Sequence, residues 1–188
     1  MSFRLPRIVS DEDPALALEA LQTGDLPQIR AWLAQPHLTR VWNPPDEATA
    51  SIAGHMAEPH IAPYPIVEAG RPIGYLQIYH ANPDEFWAAH ELPRETYGFD
   101  LFIGIPGLLR QGRGLRAVRL AVRHLSALPD AVRIHIDPSP DNAAPIRVCE
   151  KAGFRRIGEI DTPDGRCLYM IIEPRRGILG ERRGEGNS

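Results

Sequence analysis

Residues 108–116, Leu-Leu-Arg-Gln-Gly-Arg-Gly-Leu-Arg, join a strand-like run to a helix-like one through two glycines set among arginines. Glycine at Gly112 and Gly114 permits positive φ and close approach of backbone to ligand. The first turn of a following helix offers amides with no intrahelical partner, so the segment suits a phosphate, with Leu115 supplying an amide and Arg110 and Arg113 adding charge beside Gln111. Upstream, Asp100 stands in the apolar run 98–105. On a strand it projects opposite Phe99 and Leu101 and beside Phe102, where a carboxylate is costly unless it has a partner or a task. It is either a partnered structural Asp or a base made more basic by its apolar surroundings. Asp84, Glu85, Glu91, Asp137 and Asp164 come from separate segments and add negative charge suited to a polycationic ligand, or form a solvated rim. Phe86 and Trp87 lie among them, placed to stack on a sugar or cation or to anchor a loop. Trp42 and Tyr79 carry the same two readings.

The elements that must position these groups follow from pattern. A strand is predicted over 15–21 and a helix over 26–34, with Leu26, Ile29, Trp32 and Leu33 at helical spacing. Pro36 stops it, a short helical piece covers 37–42, and another spans 47–56. Two strand-like runs, 64–69 and 72–80, meet at a tight turn as a hairpin. Residues 82–97 form an acidic flap, and 98–105 the strand that feeds the glycine loop. The helix after the loop sets Leu115, Val118, Val122 and Leu125 on one face. A strand over 132–137, a helix from Asn142 to about residue 151, and strands over 154–161 and 166–172 complete the order, the last two flanking a Thr-Pro-Asp-Gly turn. Such an order predicts an α/β sheet of mixed direction flanked by helices.

Composition narrows the class. The 188 residues, 43% hydrophobic and 24% charged, fit one globular domain, with a loose lead-in over 1–14, the domain over 15–173, and a basic, glycine-rich tail over 174–188 expected to be disordered. A formal net charge of −3 argues against nucleic-acid binding. Cys149 and Cys167 have no metal-ligand spacing with histidine, so no metal is expected. No signal-length apolar run or membrane-length segment is present, so the expectation is a cytoplasmic protein without a membrane partner, as monomer or homodimer.

Over 23–172 the sequence resembles the GNAT N-acetyltransferases, which move an acetyl group from acetyl-coenzyme A to an amine. The family's pyrophosphate loop, Q/R-x-x-G-x-G/A, falls on Leu109-Arg110-Gln111-Gly112-Arg113-Gly114, with Leu109 departing from the polar first position. The run from Asn142 through Ile146 to Phe154 resembles the family's N-x-x-A-x-x-x-Y-E-K-x-G-F, and Cys149 replaces the tyrosine that commonly protonates the departing thiolate. Within the family the sequence is most similar to the aminoglycoside 6'-N-acetyltransferases: Pro63-Tyr64, Gly70 to Tyr75 with Gln77 and Tyr79, Phe86-Trp87, Asp100, the run from Asp137 to Asn142, and Thr162-Pro163-Asp164-Gly165 all match.

The resemblance implies a mostly antiparallel sheet splayed at the coenzyme site. It also implies Asp100 as general base and Asp137 as a contact to a cationic sugar. No Ser/His or Cys/His pairing supports a covalent acyl intermediate, so direct transfer in a ternary complex is expected. Backbone groups of Leu101, Phe102 and Ile103 would hold the pantetheine arm and polarise the thioester. Cys149 is then either an acid toward the thiolate or a small buried residue. Trp42, Tyr64, Gln77, Tyr79, Asp84, Trp87, Asp137 and Asp164 are the expected acceptor contacts. Two rival expectations are a siderophore-type lysine N-acyltransferase, whose central strand usually offers histidine where Asp100 stands, and a coenzyme-A-binding module without turnover.

Overall fold

The computed structural model describes residues 4–9, 15–90, 92–163 and 165–174. Among them eight strands form one open sheet in the order β1-β2-β3-β4-β5-β6-β8-β7. These are β1 (Arg7–Val9), β2 (Leu16–Glu19), β3 (Ile61–Glu68), β4 (Arg71–His80), β5 (Thr96–Ile103), β6 (Arg133–Ile136), β7 (Arg155–Thr162) and β8 (Gly165–Ile172). The helices are α1 (Leu26–Leu33), α2 (Pro45–His55), α3 (Glu85–Ala88), α4 (Arg113–Ser126) and α5 (Ala143–Ala152). Every strand pair is antiparallel except β5 with β6. The mixed sheet expected from the sequence is therefore the one that forms.

Two expectations change. The lead-in holds strand β1, paired Arg7 to Glu19 through Val9 to Ala17, because Ile8 buries its side chain in the core. Residues 37–42 form turns rather than a helix. The tail beyond 174, Glu91 and Asp164 lie outside the described residues. No helix among the described residues is long and apolar enough to cross a membrane.

Alternation along the strands divides the sheet into two faces. On one, Leu16, Leu18, Tyr64, Ile66, Leu76, Ile78, Phe99 and Ile134 pack against α4 (Ala117, Val118, Ala121, Leu125) and α5 (Ile146, Cys149). On the other, Tyr75 and Phe102 pack against Ile29, Trp32 and Leu33 of α1 and Ala48 and Ile52 of α2. Further along that second face a smaller group, Ala81, Trp87, Tyr169 and Ile171, lies under the flap. Between these two apolar groups runs a polar stripe.

The break that matters lies between β5 and β6. The two strands pair only from Thr96–Arg133 to Gly98–His135, so β5 runs on through Ile103 with no strand among the described residues beside it on that edge. The parity of the β4–β5 ladder settles what that edge presents. Ala81 N donates to Thr96 O and Gly104 N to Ile73 O, so even-numbered β5 residues bond to β4 while Leu101 and Ile103 turn their amides and carbonyls outward, where the Ile103 carbonyl accepts from His37 Nε2 at 2.9 Å. Gly74 keeps this arrangement tight, since a Cβ there would lie 2.2 Å from the Phe102 carbonyl oxygen. Gly74→Ala is expected to cost about 1–3 kcal/mol by overpacking backbone against backbone, read as a lowered urea midpoint.

Candidate active site

The glycine loop opens α4. Arg110 (φ 59°) and Gly112 (φ 81°) both take left-handed conformations, and Gly112 is the N-cap residue, with no side chain capping the first turn. Amides of Arg113, Gly114 and Leu115 are thus left without helical partners at the positive end of a 14-residue helix. Gly114 differs from expectation: it is not among the residues with positive φ, lies within the helix, and has open space where a Cβ would stand. Its use is room for a ligand rather than a special dihedral. Arg113 also differs. Its Nε reaches Glu68 Oε2 at 2.7 Å, and Arg116 Nη1 reaches Glu68 Oε1 at 2.7 Å, so the end of β3 ties down the start of α4. Gln111 braces the loop by donating to the Gly107 carbonyl at 2.6 Å. Arg110 remains exposed at the turn.

Asp100 lies on β5 at the splay, partly exposed, on the face shared by Tyr75, Gln77 and Tyr79 of β4. Gln77 Nε2 donates to Asp100 Oδ2 at 2.8 Å. The Gln77 carbonyl oxygen accepts from the Tyr75 hydroxyl at 2.8 Å and lies 2.9 Å from His55 Nδ1 of α2. Burial, then the Asp100 charge, pushes the Tyr75 hydroxyl well above its ordinary value, so it stays a donor. For Tyr79, burial comes first and the charges of Asp100, Asp137 and Asp84 add to it. Three carboxylates from separate segments therefore bear on one tyrosine. Trp42 extends the stripe, its ring 5.1 Å from Phe102 and 6.4 Å from Tyr75.

The flap is fixed at its base. Asn82 donates to the Pro93 carbonyl and accepts from Thr96 N, each at 3.0 Å. Asp84 caps the short α3 by accepting from Trp87 N at 3.0 Å. Trp87 is itself buried, its ring 4.4 Å from His135 and 5.8 Å from Tyr169, so it anchors the flap to the sheet instead of standing open to a ligand.

Several expected residues fall elsewhere. Tyr64 points to the opposite face, buried in the larger core, its hydroxyl accepting from Leu5 N at 3.2 Å. Phe102 bonds its backbone toward β4 and packs its ring with Trp32 and Trp42, so it offers the open edge nothing. Ile146 is a core residue of α5, while Asn142 occupies the N-cap position of α5 without making a side-chain cap. Cys149 is 1% exposed, and burial, with Glu150 adding, pushes its thiol up to about 12. An ordinary thiol titrates near about 8.5, so a thiol held so high is a poor acid toward a departing thiolate. Cys149→Ala is expected to leave kcat within about twofold and to cost about 1–2 kcal/mol of stability through the cavity it opens; steady-state rates and urea unfolding check both.

Sequence reasoning missed His55. The signal was available: Ala48, Ile52 and His55 follow helical spacing, and the first two are buried. A histidine continuing a buried face needs a partner, and Gln77 supplies one.

A turn whose amides suit a phosphate lies beside a strand edge that β6 leaves, with a carboxylate on that strand. Comparison with known proteins identifies the class. The acetyltransferase (GNAT) domain matches residues 22–162. Aminoglycoside N(6')-acetyltransferase type 1 of Klebsiella pneumoniae is 32% identical over 173 residues, 87% of this chain and 86% of that protein. Lysine N-acyltransferase MbtK of Mycolicibacterium paratuberculosis is 30% identical over 185 residues, 91% of this chain and 80% of that protein. The crystal structure of aminoglycoside acetyltransferase AAC(6')-Ib in complex with coenzyme A and kanamycin has a TM-score of 0.76 at 30% identity, covering 86% of this chain and 96% of that one. The chain belongs to the GNAT acetyltransferase family, as an N-acetyltransferase.

Proposed function

We propose that this enzyme transfers the acetyl group of acetyl-coenzyme A to a primary amine of a polycationic small molecule, the 6'-amino group of an aminoglycoside. The observation that carries the acceptor is the half-exposed Asp100 carboxylate, held by Gln77 Nε2 at 2.8 Å on the face of β5 that Tyr75 and Tyr79 share, with the charges of Asp84 and Asp137 also felt at Tyr79. Carboxylates so gathered attract a multiply charged amine and orient one ammonium toward the splay. The donor side fits the residues present. The amides at the start of α4 suit a pyrophosphate, Gly114 leaves it room, and the outward amides of Leu101 and Ile103 with the Leu101 carbonyl suit the amide-bearing arm that follows, the Ile103 carbonyl being held by His37.

In the transfer, Asp100 takes a proton from the bound ammonium, since only the neutral amine has a lone pair for attack. The amine nitrogen bonds to the thioester carbonyl carbon, the C–S bond breaks, and coenzyme A leaves as thiolate, which takes up through solvent the surplus proton that the attacking nitrogen sheds as the amide forms. Backbone amides on the open edge of β5 polarise the carbonyl as charge develops on its oxygen. Direct attack needs no nucleophile from the enzyme and passes through no acyl-enzyme; the one Ser/His pair described near Asp100, Ser51 with His55 at 3.3 Å, contacts Asp100 only through Gln77.

The lysine N-acyltransferase relative motivates the second reading, an amine of lysine type. Asp100, on a strand where that group usually presents histidine, favours the aminoglycoside. Protein, acetyl-coenzyme A and a panel of amines, followed by free thiol, decide between them. Thiol release with kanamycin but not with lysine derivatives is the expected result. Release with lysine derivatives alone moves the acceptor to the second reading, and coenzyme binding without release across the panel removes the enzymatic one.

A further inference from the structure

A hydrogen-bonded chain runs from α2 to the central strand, and it begins on residues to which the transfer assigns no task. Ser51 Oγ lies 3.3 Å from His55 Nε2, and His55 Nδ1 lies 2.9 Å from Gln77 Oε1. Tyr75 donates to the same oxygen at 2.8 Å, and Gln77 Nε2 donates to Asp100 Oδ2 at 2.8 Å. An ionised carboxylate only accepts, so the amide must turn its nitrogen toward Asp100. Reversed, it would set two acceptor oxygens against each other with no proton between them. With the nitrogen so placed, Oε1 faces His55 and Tyr75, and both must donate to it. His55 therefore carries its proton on Nδ1, and Ser51, able to donate or accept, answers Nε2. Gln77 is only 9% exposed, so water does not readily replace a donor lost there.

We propose that His55 is a positioning residue for the transfer: with Tyr75, it locks the Gln77 amide in the one orientation that delivers a hydrogen bond to Asp100. The proposal rests on the reading of Asp100 as the proton acceptor. A hydrogen bond given to a carboxylate favours its charged form and fixes its direction. His55 thus keeps Asp100 ionised at lower pH and aimed at the incoming ammonium without touching either. Among the described residues, Tyr75 and Tyr79 of β4, both protonated, feel the Asp100 charge, and Asp137 and Asp84 also bear on Tyr79.

Two measurements on the full chain test this: the NMR titration of the Asp100 carboxyl carbon without any acceptor, and kcat/KM against pH with the best amine. His55→Leu is expected to raise the Asp100 midpoint by about half to one pH unit and to lower kcat/KM on the acid side about five- to tenfold. The KM for acetyl-coenzyme A stays unchanged. His55→Gln, which keeps an N–H donor, recovers most of both effects. Gln77→Leu is at least as damaging, and adding His55→Leu to it brings no further loss, because His55 acts through Gln77. An Asp100 midpoint and pH profile indifferent to His55→Leu would overturn the proposal. So would additive losses in the double variant, or His55→Gln as impaired as His55→Leu. The carboxyl titration needs no turnover, so it decides the role of His55 even if no aminoglycoside is acetylated.

Discussion

Asp100→Asn should lower kcat by about 10²- to 10⁴-fold, the range that a positioned proton acceptor contributes. The substitution is nearly isosteric, and the new amide oxygen can still accept from Gln77 Nε2, so the stripe His55–Gln77–residue 100 survives. What it loses is basicity: an amide does not take up a proton at neutral pH. The open edge of β5 is made by the backbone of Leu101 and Ile103, which the change leaves alone. The KM for acetyl-coenzyme A and the melting temperature should therefore move little while kcat collapses. The pH profile adds a second signature, because the acid limb of kcat/KM that reports Asp100 disappears and the residual rate follows the fraction of free amine in solution. Steady-state kinetics from pH 5 to 9 checks both. Unchanged kcat with the acid limb retained would assign the proton to another group and return Asp100 to a structural role.

How far this site was legible in the sequence depended on which residues carry a marker of their surroundings. The loop at Gly112 was legible because a positive φ there selects glycine and the helix after it is strongly amphipathic. Asp100 was legible because a lone carboxylate inside an apolar strand is costly. Tyr64 was not. Strand β3 is buried on both faces from Ala62 to Val67, so alternation contains no polar position to say which way the tyrosine points. Adjacent β4 does contain one: Gln77, between Tyr75 and Tyr79, marks the face that holds the stripe. Trp87 was ambiguous for another reason. An aromatic in an acidic flap either meets a ligand or fastens the flap, and only the packing of His135 and Tyr169 beneath it decides for fastening. His55 needed two elements at once, since its partner lies on β4 and nothing in α2 announces it beyond the burial of Ala48 and Ile52.

The fastening of the flap predicts the largest pH effect on stability. His135, on β6, is fully buried under Trp87 and between Tyr79 and Tyr169, and among the described residues neither ring nitrogen has a hydrogen-bond partner. Burial, with the Arg133 charge adding, lowers its pKa from 6.5 to about 3. The folded protein therefore keeps His135 neutral down to about that pH, whereas the unfolded chain protonates it near 6.5. Below 6.5 the unfolded state holds a proton that the folded state does not, so stability is complete above that pH and falls as the solution is acidified. The slope is about 1.4 kcal/mol per pH unit, or roughly 4–5 kcal/mol across the window, a large part of what a domain of this size possesses. His135→Phe fills the same space with a ring that does not titrate and removes the two unpaired nitrogens. Urea unfolding at several pH values between 7 and 4 should show the wild-type curve dropping more steeply than the variant's by about that slope. Other groups that titrate in acid, such as Glu173 held low by Arg133 and Arg155, affect both proteins alike and cancel in the difference. Because His135 carries Trp87, and Trp87 N is held by Asp84, the first amides to lose exchange protection on acidification should be those of α3. Parallel wild-type and His135→Phe curves would mean that the ring is solvated or partnered in solution and that the flap is fastened by Trp87 and Tyr169 alone.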